Sequence, residues 1–137
     1  MTPAEKKKGV TQFYSQIDEP DAAAFGRMVT DNFKWYLMIL DPDALGMPSS
    51  LICDGKAGLQ DTVDRLKLAF PNGLHMTYGP IICEGDEVAM QCKSDTVIAN
   101  GRKYSNVYHV YVRFEGDKIA EIREYADMNR AREKFMM

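Results

Sequence analysis

No stretch of this 137-residue chain is long and apolar enough to form a membrane-spanning helix. The polar segment Met1–Lys8 also lacks the apolar core of a secretion signal, so a cytoplasmic protein without a membrane partner is expected. Cysteine is scarce. Cys53, Cys83 and Cys92 are odd in number and form no C-x-x-C pair, which argues against a disulfide framework or a zinc site. An excess of one charge is missing too: 17 Lys and Arg against 20 Asp and Glu leave a net charge of -3, which gives no reason to expect nucleic acid as a partner. The one basic run, Lys6-Lys7-Lys8, reads as a solvated helix face. Gly-x-Gly phosphate loops, H-E-x-x-H and nucleophile elbows are all absent. What is present, 45% hydrophobic and 27% charged residues without a repeat or a linker, is enough for one core and one domain, residues 1–137.

Val10, Phe13, Tyr14 and Ile17 recur at helical spacing and predict an amphipathic helix over roughly 4–17. Asp21 before Ala22-Ala-Ala-Phe-Gly-Arg-Met-Val29 suggests a capped second helix, and Phe33 to Leu40 reads as a strand. The segment 41–54, with Pro42, Gly46 and Pro48, reads as a loop and a lid over a site. Leu59, Val63, Leu66 and Phe70 mark a third helix, ended by Pro71-Asn-Gly73. Strands follow over roughly 74–83, 87–98, 103–114 and 118–126, and the tail from Asn129 reads as a short helix over the sheet. Helices first and an antiparallel meander afterwards is an α+β order, with the helices on one face of a curved sheet.

The last strand carries the most informative residue. Ala120, Ile122, Glu124, Ala126 and Met128 share one face, and Glu121, Arg123, Tyr125 and Asp127 the other. A carboxyl on an apolar face must be paired, held neutral or turned to a cavity, because an unpaired buried charge is costly. Such a group makes a general acid or base with a raised pKa. The Glu115-Gly116-Asp117 turn pairs this strand with one whose faces are Asn106, Tyr108, Val110, Val112, Phe114 and Val107, His109, Tyr111, Arg113. The register places Tyr108 opposite Glu124 or diagonal to it, with Asn106 nearby as a hydrogen-bonding amide. The alternative is a flipped strand with Glu124 exposed near Lys118 and Arg123, and on parity both stay open. His109 falls on the outer face, His75 reads as structural, and Asp127 as a helix cap.

Cys92 and Ser94 share a face of the middle strand with Met90 and Thr96, and Cys92 reads as a small buried hydrophobe. Trp35, Tyr36, Met38 and Met76 read as core, in a composition that would also suit an apolar ligand.

The run Gly101-Arg-Lys-Tyr-Ser-Asn106, Tyr108-x-x-x-x-Arg113-Phe-Glu-Gly-Asp-Lys-Ile119-x-Glu121-x-x-Glu124-Tyr-x-Asp127 resembles the closing hairpin of SnoaL-like proteins. These belong to the nuclear transport factor 2-like superfamily, with ketosteroid isomerases and limonene epoxide hydrolases. Asp31-Asn-Phe-Lys-Trp35, Gly55-Lys56, Phe70-Pro71 and Glu84-Gly-Asp-Glu-Val88 also fall where that family has similar elements. The resemblance implies a cone-shaped α+β barrel: a strongly curved, mainly antiparallel sheet wrapped over three helices around a hydrophobic pocket. It also implies a homodimer through the outer sheet face, which would give Val107, His109, Tyr111, Arg113 and Tyr125 an interface role. The catalytic carboxylate of the cyclase and epoxide hydrolase branches corresponds to Glu124, five residues after Ile119. The cyclases' pocket histidine corresponds to Val110, the epoxide hydrolases' Arg and Asp to Cys92 and Ser94, and their Tyr and Asn to positions near Lys34 and Tyr36. Neither partner set is reproduced.

The expectation is a small-molecule enzyme, isomerase- or cyclase-like, in which Glu124 moves a proton on an apolar carbonyl compound. Tyr108, with Asn106 or Tyr36, would polarise the carbonyl. Cys92, Ser94 and Val110 would complete the ligand site, and no metal or cofactor is required. The alternatives are a non-catalytic binding protein for a hydrophobic metabolite and a dimeric accessory domain with a filled pocket.

Overall fold

The computed structural model describes residues 1–38 and 50–136. Helix α1 (Pro3–Ser15) opens on a capping box, with Thr2 and Glu5 satisfying each other's backbone N–H groups and a proline in the first turn. Its buried stripe is Val10, Phe13 and Tyr14, extended by Ile17 in a short 3-10 turn over Gln16–Asp18. Helix α2 (Ala22–Gly26) is capped by the Asp21 carboxylate, as its sequence leads one to expect. Strands β1 (Val29–Met38) and β2 (Ser50–Asp54) follow, then α3 (Leu59–Ala69). The meander is β3 (Thr77–Glu84), β4 (Glu87–Lys93), β7 (Val107–Glu115) and β8 (Lys118–Ala126), with a small ribbon, β5 (Thr96–Val97) and β6 (Lys103–Tyr104), between β4 and β7. Helix α4 (Met128–Met136) ends the described chain.

Six strands form one sheet in the order β2-β1-β8-β7-β4-β3, antiparallel except for β1 against β8. The sheet is curved without closing, so the expected cone is an open one. The helices cover its concave face. Phe13 is the hub there, with ring centroids 4.9 Å from Phe25, 5.2 Å from Trp35 and 5.9 Å from Phe33. Such aromatic contacts add to the gain from burial and fix how α1 sits on the sheet.

Three expectations need correction. Residues 50–54, read as loop, form β2 antiparallel to β1, while 39–49 lie outside the described residues. The strands expected over 87–98 and 103–114 are each interrupted. Ser94 N–H bonds Asn106 O at 2.9 Å and Asp95 N–H bonds Leu74 O at 3.0 Å, so the chain leaves the sheet there and pairs as the separate β5–β6 ribbon. Strand β1 starts at Val29, four residues earlier than β-propensity suggests, because Ile119 of β8 pairs with it there.

A candidate active site around Glu124

Strand β8 brings Glu124 to the concave face, opposite Val110 on β7 and beside Leu37 on β1. Tyr108 pairs with Ala126, so of the two registers allowed by the turn the diagonal one occurs. A bulge between Arg113 and Phe114 shifts the hairpin and lets both Ile119 and Ala120 be buried.

Glu124 heads a cavity of about 300 Å³. Its walls are mostly apolar: Ile17, Leu37, Ile52, Leu66 and Leu74 among them, with α4 contributing Met128, Ala131 and Phe135. Phe70, Tyr104 and Phe135 form an aromatic end wall, with Phe135 edge-on to both other rings at 5.7 and 5.1 Å. The carboxyl is enclosed by protein yet partly accessible, because the cavity opens in front of it.

Tyr14, on the buried stripe of α1, donates its hydroxyl to Glu124 Oε1 at 2.7 Å. Burial pushes the Glu124 carboxyl above the ordinary glutamate range, and the Tyr14 hydrogen bond opposes that rise. The Trp35 indole N–H also favours the carboxylate, although its approach falls short of a well-formed hydrogen bond and it has no other partner among the described residues. Burial, then the charge of Glu124, raises the Tyr14 phenol well above its usual value, so Tyr14 stays a donor. Tyr14 thus holds one carboxyl oxygen of Glu124 at the head of the cavity.

The remaining sequence candidates separate clearly. Tyr108 lines the same cavity as Glu124. Its phenol is pushed far up by burial and bonds Ser94 Oγ at 3.0 Å. Ser94 and Val110 are completely buried behind the wall, and neither lines the cavity. Cys92 is likewise behind it, its thiol pushed up to about 12 by burial first and the charge of Glu124 second. Asn106 has no solvent exposure and is consumed in bonds to Tyr104 Oη (2.6 Å), Asp127 O (3.1 Å) and Val107 N–H (2.8 Å). Tyr36 pairs with Arg123 while Leu37 pairs with Glu124, so Tyr36 lies on the outer face, away from the cavity. His109 alternates outward as expected, and Asp127 caps α4 through the Arg130 N–H at 3.1 Å.

Sequence reasoning missed Tyr14 and Tyr104 as site residues. A signal for Tyr14 existed: a phenol in a stripe otherwise made of Val10, Phe13 and Ile17 needs a buried hydrogen-bond partner. All three cysteines are free, and no described helix is long and apolar enough to cross a membrane.

Fold and site together define an α+β pocket protein with a carboxyl at the head of an apolar cavity. A SnoaL-like domain family matches residues 10–122, and the chain belongs to that family. The match ends two residues before Glu124. Solved structures carry the same fold over nearly the whole chain. An NTF2-like protein of unknown function from Burkholderia pseudomallei aligns with a TM-score of 0.78, 13% identity and full coverage of both chains. A candidate SnoaL-like polyketide cyclase from Jannaschia sp. CCS1 gives 0.75 at 12% identity, covering 96% of this chain and 92% of its own. IdmH, a candidate polyketide cyclase from Streptomyces antibioticus, gives 0.72 at 16% identity, covering 96% and 99%. No curated protein matches by sequence.

Proposed function

We propose that this protein is a small-molecule enzyme of isomerase or cyclase type, in which Glu124 transfers a proton on an apolar carbonyl compound. The observation that carries this reading is one carboxyl at the head of an apolar cavity, held through a single oxygen by Tyr14 at 2.7 Å. A carboxyl whose pKa is raised toward the working pH is suited to take a proton from carbon and return it. The hydroxyl row that reaches the cavity wall at Tyr108 and Tyr104 supplies a hydrogen bond to the carbonyl oxygen. The names of the Jannaschia and Streptomyces proteins support the same class of chemistry. The substrate is a compound with an enolisable carbonyl, and no step of this chemistry requires a cofactor.

A second reading, a non-catalytic binding protein for a hydrophobic metabolite, draws on Val110. It sits directly opposite Glu124 with no solvent exposure, so no second acid or base faces the carboxyl across that pair. Mass spectrometry of small molecules extracted from the purified protein separates the two. An enzyme turns the extracted compound over and loses that turnover in Glu124→Gln. A binding protein releases it unchanged, and unchanged turnover in Glu124→Gln would sink the catalytic reading. We further propose that the outer sheet face, where Val107 is 56% exposed, pairs two copies of the chain. Light scattering that finds only monomer at micromolar concentration would refute that pairing.

A further inference from the structure

Three hydroxyls stand in a row beside the aromatic wall. Ser94 Oγ and Tyr108 Oη are 3.0 Å apart, and Tyr108 Oη and Tyr104 Oη 3.5 Å apart. Both ends of the row receive an amide proton. Asn106 backbone N–H donates to Ser94 Oγ at 3.1 Å, and Asn106 Nδ2 donates to Tyr104 Oη at 2.6 Å. The orientation of that amide is fixed, because its Oδ1 accepts from the Val107 N–H while Nδ2 also reaches the Asp127 carbonyl. An amide N–H cannot accept in return.

The row therefore holds three hydroxyl protons and only two internal links. One proton must be donated outside it, and no other described residue accepts it. Ser94 is sealed from the cavity, whereas Tyr104 and Tyr108 line it. Tyr108 Oη donates to Tyr104 Oη, so the row runs from Ser94 through Tyr108 to Tyr104. A chain of donors polarised in one direction strengthens its last member. We infer that Tyr104 is the terminal donor of this site, that Asn106 is its positioning residue, and that the ligand carries a carbonyl or enolate oxygen against Tyr104. This deepens the proposed function and rests on the same cavity. Of its two named groups, one donates to the oxygen of the carbonyl compound and the other, Glu124, handles the proton on carbon.

A site with a donor in need of an acceptor discriminates against ligands lacking one. The probes are 1-indanone and indane, which share a bicyclic skeleton and differ by the carbonyl. Binding is measured by calorimetry, and the carbonyl stretch by infrared difference spectroscopy. Tyr104→Phe should weaken 1-indanone roughly three- to tenfold, leave indane unchanged and return the bound carbonyl stretch to higher frequency. Equal weakening of both ligands, unchanged 1-indanone binding, no 1-indanone binding to the wild type, or a loss carried by Tyr108→Phe instead would each overturn the assignment. Glu124→Gln should keep the contrast between the two ligands. A failure of the catalytic reading is therefore visible separately from a failure at Tyr104.

Discussion

The Tyr14 hydroxyl donates to Glu124 Oε1 at 2.7 Å, tying the first helix to the last strand of the sheet. The bond is at once a piece of the fold and the setting of a site. Tyr14→Phe removes a donor that favours the carboxylate, so the Glu124 pKa should climb further. Carbon-13 NMR of labelled glutamate side chains reads this directly, and an unmoved titration contradicts it. The accompanying stability loss should be about 1 kcal/mol.

Glu124 also makes stability depend on pH, with a sign opposite to that of a salt-bridged carboxylate. Its folded pKa is raised, chiefly by burial, so the native state holds this proton more tightly than the unfolded chain. That favourable contribution is complete below the unfolded value of about 4.3 and is lost as pH rises through the folded value. Glu124→Gln abolishes the dependence. At neutral pH the variant should melt higher than wild type, by roughly 3–5 °C for each 1 kcal/mol, and the gap should narrow on acidification. A gap that does not change with pH contradicts the raised pKa.

The cysteines should divide by burial. Cys53 and Cys92 are buried, with thiols raised chiefly by burial, whereas Cys83 is partly exposed. Brief alkylation at neutral pH should label Cys83 alone in the native protein, and all three after denaturation. Peptide mass spectrometry checks this.

Asp18 holds the start of the meander: its Oδ1 accepts from the Leu74 and His75 backbone N–H groups at 2.8 and 2.9 Å. Asp18→Ala leaves the part-buried Leu74 donor without that partner and should cost about 1–3 kcal/mol in denaturant unfolding. Gly73→Ala should destabilise as well, since φ is +76° there and a Cβ would lie 2.7 Å from Asp18 Oδ1.

The fold was largely legible because its signals are local. The stripe Val10–Phe13–Tyr14–Ile17, the Asp21 cap and the Gly85–Asp86 and Gly116–Asp117 turns each specify an element without reference to the rest of the chain. Strand alternation alone grouped Glu124 with Ala120, Ile122 and Ala126, and left open which of the two faces turns inward. What was not legible depends on contacts between distant segments. Tyr14 meets Glu124 across 110 residues, and the break at Ser94 arises from its partner Asn106. Tyr36 shares a composition with Trp35 but not a face, and only the pairing of β1 with β8 decides which of them meets the cavity.

The central claim is that Glu124 exchanges a proton with carbon in a bound carbonyl compound. The most direct measurement is the rate at which the protein washes solvent deuterium into the α-position of 1-indanone, followed by NMR across pH. The rate should rise through an inflection above the ordinary glutamate range and fall at least a hundredfold in Glu124→Gln, the scale of general base catalysis. Exchange in Glu124→Gln at the wild-type rate would contradict it.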